Sequence, residues 1–314
     1  FLAGTAPDPA ASPAALFFTT NGVGDLVIEP GDYVAAVTRG FEYTAELVPV
    51  QAVAGQTVVL EASLAHVVDT TGFLSADLHS HFRPSPDSQV SDALRIAQAA
   101  GEHVELVVTT DHDIISNLAP ALQLAGAEDV VATAQGVEIS PIRGHVNAYP
   151  VSETNAHRHG YWPLAWWQLD EQGEVGDARP YPEIFAAARS ELGAQIIQLN
   201  HPRDGAAVLD TVHYDPAIGL AGLDPEVMDD NFDAIELCNS SFGAEDAEAV
   251  IDWYSFLNQG LPIVGVGVSD YHGGGAGLGK ARTLVEVPDD VLAPGYDTAP
   301  FFTALRGQRA TVVI

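Results

Sequence analysis

The chain has 314 residues, with 43 Asp+Glu against 12 Lys+Arg, a formal net charge of −31, and Lys280 as its only lysine. At 47% hydrophobic and 18% charged it has the composition of a globular chain, long enough for one large α/β domain or a principal domain with a small companion. So acidic a surface repels phosphate backbones and anionic lipid, which argues against a stable nucleic-acid complex, and no apolar run approaches the roughly 18 residues of a membrane-spanning helix.

Residues 1–24 open with "FLAGTAPDPAASPAALFF", rich in Pro, Ala and Ser and without a basic segment, and read as an N-terminal extension or linker. The acidity suits a salt-adapted or extracytoplasmic setting without deciding localisation. From Asp25 to about Val68 the runs "DLVIEPGDYVAAVTRG", "YTAELVPV" and "TVVLEASLAHVV" are β-branched or alternating and are separated by Pro-Gly, Arg-Gly and Ala-Gly turns. Residues 25–70 are therefore expected to form a small antiparallel β-sandwich.

From residue 71 to 314 apolar strand-length runs alternate with helical stretches. "GFLSADLH", "VELVVTTDHD", "VVATAQGVEIS", "GHVNAYPV", "QIIQLNHP", "FDAIELCNS" and "LPIVGVGVSDYH" are interleaved with "SDALRIAQAAGE", "NLAPALQLAGA", "YPEIFAAARSELGA" and "DAEAVIDWYSFLNQG". Strands apolar on both faces, alternating with helices, predict a parallel sheet or a β/α barrel.

Nearly every such strand ends in polar residues that bind metals well. In order these are Asp77, His79 and His81; Asp111, His112 and Asp113; Glu138; His145; Asn200, His201 and Arg203; Glu236 and Asn239; and Asp270 and His272. In a β/α barrel the carboxyl ends of the strands converge on one mouth, so clusters far apart in sequence would meet in space. An H-x-H pair on an extended strand places both rings on one face. With Cys238 the only cysteine, any metal is held by nitrogen and oxygen, a donor set that suits Zn²⁺, Mn²⁺ or Fe²⁺. The competing structural reading of Asp113 is a cap for the helix that follows. Ser240 and Ser241 lack a nucleophile-elbow setting.

"DLHSH", "TTDHD", "GVEIS", "GH", "NHPR" and "GVSDYH", in that order over about 200 residues, resemble the motifs of the PHP (polymerase and histidinol phosphatase) metallohydrolases. The preceding β-rich segment and "TTGFLSADLHSHF" resemble the CehA/McbA branch, named for carbaryl hydrolases. The resemblance implies a distorted seven-stranded (β/α) TIM-like barrel with a trinuclear metal centre. Carried over by position, it gives His79, His81 and Asp270 to a first metal, with Glu138 bridging to a second completed by His145 and His201. The third would take His112, His272 and Asp87. Asp77 and Asp111 would orient neighbouring histidines, and Arg203 would grip an anionic oxygen. The candidate catalytic groups are Arg203, Asp113 and His272.

Clustered divalent ions lower the pKa of bound water and neutralise developing charge. The expectation is hydrolysis of a small-molecule phosphoester, with a carbamate or carboxylic ester as the rival substrate class and a non-catalytic cell-surface binding protein as the reading from another class. The oligomeric state is left open. The insertion 151–183 holds Trp162, Trp166 and Trp167, as a substrate wall or as packing, and His157 and His159 are weaker ligand candidates.

Overall fold

The computed structural model of the chain describes residues 2–4, 15–152, 154, 162–172, 175–205 and 207–314. At the N-terminal end, β1 (Leu2–Gly4), β2 (Gly31–Val37) and β3 (Glu46–Ala52) form a single antiparallel sheet. The expected sandwich is thus one sheet, because "TVVLEASLAHVV" contributes only a bridge between His66 and Tyr43. Val58, Val59 and Val67 of that run are exposed. β-propensity describes a fit to a half-buried pleated face, and no second face covers this one.

The remaining strands build two five-stranded sheets. One contains β4 (Phe73–Asp77), β5 (Leu106–Thr109), β6 (Ala132–Gln135), β14 (Arg282–Glu286) and β15 (Ala310–Val313) in the order β15-β14-β4-β5-β6. The other contains β7 (Val137–Ile139), β8 (Val146–Tyr149), β11 (Ile196–Leu199), β12 (Ala234–Asn239) and β13 (Val264–Val268) in the order β13-β12-β11-β8-β7. In each, three parallel strands run to one edge, β4-β5-β6 and β11-β12-β13, and two antiparallel strands complete the other side. A small hairpin, β9 (Trp167–Leu169) with β10 (Val175–Ala178), lies in the tryptophan-rich insertion.

The barrel expected from the alternation is not a closed ladder among the described residues. Helix crossovers give the parallel pairs, whereas the short link between β7 and β8 turns the chain back into an antiparallel one, and β14 enters its sheet antiparallel to β4. The sheets nevertheless share an interior, in which Leu74 and Val108 of one meet Tyr149, Ile196 and Val266 of the other. Phe301 and Phe302 of α6 (Ala299–Arg306) pack into the same interior. Outside β4 and β5, α1 (Asp92–Gly101) and α2 (Ala119–Ala125) bury Ile96, Ala99 and Leu122 against Val107. Ser91 caps α1 by accepting from the Leu94 N–H, as its sequence position predicts.

At their carboxyl ends the sheets are stitched together. Isolated bridges join Ser80 to Tyr271 and His112 to Glu138, and backbone bonds run from Asp270 N to His79 O (2.8 Å) and from Asp113 N to Glu138 O (2.8 Å). The residues singled out by sequence therefore lie on the seam between the sheets.

The N-terminal segment is keyed to this body at Gly40–Glu42. Gly40 has φ +68°, and a Cβ there would collide with the Glu102 carbonyl, so the close approach requires glycine. Burial alone would raise the Glu42 carboxyl, but His103 and Arg282 hold it below its usual range. The buried Arg282 guanidinium also covers the Phe41 ring, 4.5 Å from its centroid, and donates to the Glu102 carbonyl at 2.7 Å. Gly40→Ala is expected to destabilise the protein by about 1–3 kcal/mol, from strain at positive φ plus the collision. Thermal unfolding with limited proteolysis of residues 15–70 checks this; an unchanged midpoint and cleavage pattern would show that the contact is dispensable.

Candidate metal centre

His79 and His81 leave the end of β4, His112 follows β5, Glu138 lies in β7, His145 precedes β8, His201 follows β11, and Asp270 and His272 follow β13. The centre grades from deep to open: His79, His81 and Glu138 are buried, His112, His145, His201, Asp270 and His272 half-buried, and Asp87 exposed.

His79 Nε2 lies 3.1 Å from His81 Nε2, 3.2 Å from Glu138 Oε1 and 3.2 Å from Asp270 Oδ1. His81 Nε2 is 3.0 Å from Asp270 Oδ1. Around Glu138, His112 Nδ1 stands at 2.7 Å, His145 Nδ1 at 3.1 Å and His201 Nε2 at 3.6 Å. Asp87 Oδ2 is 3.1 Å from His112 Nε2 and 3.2 Å from His272 Nε2. Three groups have ligand atoms close enough to share an ion: His79, His81 and Asp270; His112, Glu138 and His145; and His81, Asp87, His112 and His272.

The outer partners fix which ring nitrogen is free. His79 Nδ1 is bonded to Glu236 Oε1 at 2.6 Å, and His272 Nδ1 to the Asp270 carbonyl at 2.8 Å. Both partners only accept, so both Nδ1 atoms carry the proton. Ser85 donates to Asp87, so it accepts from His81 Nδ1 (3.1 Å), and Ser140 donates to the Glu138 carbonyl, so it accepts from His112 Nδ1 (2.7 Å). As neutral tautomers, four imidazoles therefore turn Nε2 lone pairs towards one another and towards carboxylate oxygens. In that state these Nε2 atoms cannot donate, and Asp270 Oδ1 and His201 Nδ1 are buried without a hydrogen-bond partner. Such a convergence of lone pairs is repulsive unless protons or a cation lie among them, and the nitrogen and oxygen donors fit a divalent cation.

The electrostatics agree. Burial alone would depress His79, but Asp270, Glu236 and Glu138 raise it well above the usual imidazole range. Burial would likewise lower His112, yet Glu138 and Asp87 bring it up to about 9. His81 goes the other way, to about 4, with burial the largest cause. Glu138, despite burial, is held well below the usual carboxylate range by His79 and the surrounding histidines, and Asp270 is lowered mainly by His79 and His81.

Other expected residues have different roles. Asp77 accepts from the His79, Ser269 and Gly279 N–H groups and from Ser269 Oγ, so it ties backbone segments rather than orienting a ring. Asp111 accepts from Phe82 N and from Ser116 Oγ, and burial raises it to about 6. Asp113 takes the Trp166 indole N–H at 3.0 Å and the Ser140 N–H at 3.3 Å, and burial raises it to about 6 as well. It thereby pins the tryptophan insertion beside His112, in place of the expected catalytic or helix-capping role. Trp166 and Trp162 each stack edge-to-face on Trp167.

Arg203 lines a cleft beside His201, but its guanidinium is committed to Asp252 (2.6 and 2.7 Å), Asp210 (3.1 Å) and the Tyr214 carbonyl (3.0 Å). The guanidinium expected to grip an anionic oxygen is held in an internal ion pair by Asp252, which comes from a helix 49 residues away. His157 and His159 lie outside the described residues. Glu236, one of the strand-end carboxylates, is the acceptor that orients His79; it also takes Gln198 Nε2 (2.8 Å) and His201 N (2.6 Å).

No family model and no curated protein matches the chain. Among solved structures it is similar to a two-domain protein from Bacteroides vulgatus ATCC 8482 that contains a predicted PHP-like metal-dependent phosphoesterase, with a TM-score of 0.52 and 21% identity. The fold is PHP-like. The match covers 78% of this chain and 66% of that one, so the chain spans just under two thirds of its neighbour. The PHP-like fold places the candidate centre on the seam between the sheets, and no described helix is long and apolar enough to cross a membrane.

Two outcomes follow from the geometry. In metal-free protein, His112 has a folded pKa of about 9, above its unfolded value, so its contribution to stability is present below pH ~6.5 and lost as pH rises through about 9. Because ions need unprotonated rings, the stabilisation given by Mn²⁺ should grow over that window; equal thermal shifts with and without chelator at pH 6 and pH 9 would contradict it. Arg203→Met should cost about 3 kcal/mol by leaving the buried Asp252 carboxylate uncompensated. Denaturant titration measures this, and a loss under 1 kcal/mol would return Arg203 to the list of free cations.

Proposed function

We propose that the chain is a metal-dependent hydrolase of small-molecule phosphoesters, with up to three divalent ions at the seam. The observation that carries this is the set of four imidazoles whose Nδ1 protons are spoken for and whose Nε2 lone pairs meet around Glu138, Asp270 and Asp87. The motif order and the PHP-like fold support it. The N-terminal β-sheet before the PHP-like body is the feature that favours the CehA/McbA branch.

His79, His81 and Asp270 would hold one ion, Glu138 with His145 and His201 would surround a second, and Asp87, His112 and His272 would hold a third. Such ions, once bound, lower the pKa of a coordinated water and offset negative charge on the substrate. The chain supplies the rest. Glu236, Ser85, Ser140 and the Asp270 carbonyl keep the rings in register, and Asn200 donates to Glu138 Oε1 at 2.8 Å, which aims the carboxylate. The deep end is dry and the Asp87 side open, so substrate would enter past Asp87 and His272.

Turnover of p-nitrophenyl phosphate mono-, di- and triesters beside p-nitrophenyl acetate and 1-naphthyl methylcarbamate, with and without chelator, tests the reading. Chelator-sensitive phosphoester cleavage is expected, with a fall of at least about 10²-fold in His79→Ala. Turnover of the carbon esters alone would place the chain with carbamate or carboxylic ester hydrolases. Asp87→Ala should release one ion per chain in elemental analysis and leave the others; full retention would remove Asp87 from the ligand set.

A further inference from the structure

Arg203 lines the cleft beside the centre, with its charge matched by Asp252 and Asp210. This cleft, of about 250 Å³, is lined by His201 and Asp270 of the centre and by Asn239 and Ser241 at the end of β12. At Ser240 the backbone turns with φ +64°, and Ser241 Oγ accepts a hydrogen bond from Lys280 Nζ at 2.6 Å.

Three features mark Lys280. First, its contact is a neutral hydroxyl, which orients the ammonium without cancelling its charge, whereas Arg203 at the same cleft is paired with Asp252 and Asp210. Second, the side chain is exposed but its backbone is anchored. The N–H of Gly279 is held by the buried Asp77, the Gly279 carbonyl by the buried Arg282, and Lys280 N by the Gly277 carbonyl. Third, it is the only lysine in a chain of net charge −31, and its ammonium is bonded to Ser241, which lines a cleft that also carries Asp204, Glu245 and Asp246. An anion approaching such a cleft is repelled unless a local positive charge offsets the acidic residues.

We propose that Lys280, poised on Ser241, is the side chain that grips a non-bridging oxygen of an anionic substrate, and so selects phosphate mono- and diesters over neutral esters. This rests on the phosphoester reading above. A flexible four-carbon stem on a fixed backbone suits the task, because the ammonium can leave the serine hydroxyl for a phosphate oxygen and return after product leaves.

The test uses full-length, Mn²⁺-loaded protein and inorganic phosphate as probe. Calorimetric titration should show Lys280→Ala binding phosphate about tenfold more weakly, with Lys280→Arg close to wild type and Ser241→Ala losing about two- to threefold. The same Lys280→Ala change should raise KM for p-nitrophenyl phosphate more than it lowers kcat, and reduce the ratio of kcat/KM for that substrate over p-nitrophenyl acetate. Phosphate affinity equal in Lys280→Ala and wild type, or no phosphate binding by wild type, overturns the assignment. Lys280-dependent phosphate binding without turnover of any phosphoester would uphold the grip and sink the phosphoester reading. Turnover of phosphoesters with Lys280-independent binding would do the reverse.

Discussion

Glu138 is a fully buried carboxylate whose environment cannot supply it with enough protons. One oxygen accepts from Asn200, the other lies 2.7 Å from His112 Nδ1, and His79, His145 and His201 complete the surround. A buried charge survives only if opposite charge comes with it. The histidines meet that need only when they are protonated or when a cation lies between them and the carboxylate. The packing of the carboxyl ends of both sheets follows from this constraint, since β4, β5, β7 and β11 each deliver, directly or just past their ends, a nitrogen or oxygen to the same small volume.

Delivering them costs regular backbone. His201, Asp113 and Asp270 have positive φ although none is glycine, and each lies just past a strand end. Such conformations persist where the surroundings over-determine them. The surroundings are a layer of buried polar groups below the centre: Glu236 takes His79, Gln198 and His201, and Asn200 joins Glu138 to Asn147. Gln198 in turn accepts from Tyr149 at 2.7 Å. This layer separates the metal-ligand geometry from the apolar interior and fixes ring tautomers that a looser pocket would leave free.

Charge is also partitioned in space. The arginines within ion-pair reach of carboxylates serve the scaffold, as with Arg282 at the N-terminal contact and Arg203 against Asp252, whereas Lys280 is held by a hydroxyl and keeps its charge. For a chain this acidic, neutral or metal-complexed ligands meet less resistance than free anions.

The sequence alone determined that His79, His81, His112, His145, His201, Asp270, His272 and Glu138 belong together, because strand-length apolar runs ending in metal-binding side chains place those ends on one rim. It also limited any metal to nitrogen and oxygen donors, since Cys238 has no partner cysteine. An intervening helix gave the parallel direction of β4-β5-β6 and β11-β12-β13 but not of β8-β11 or β14-β15, which are antiparallel; those directions depend on loop paths that periodicity does not encode, and so does the absence of a closed ladder. Tertiary structure decided the partners of single side chains. Whether Arg203 faces a substrate or Asp252, whether Asp113 caps a helix or holds Trp166, and whether Glu236 packs the core or orients His79 each turn on a residue distant in sequence. Local pattern carries burial and period, whereas a hydrogen bond is set by angstrom-scale distances that exist only once both chain segments are in place.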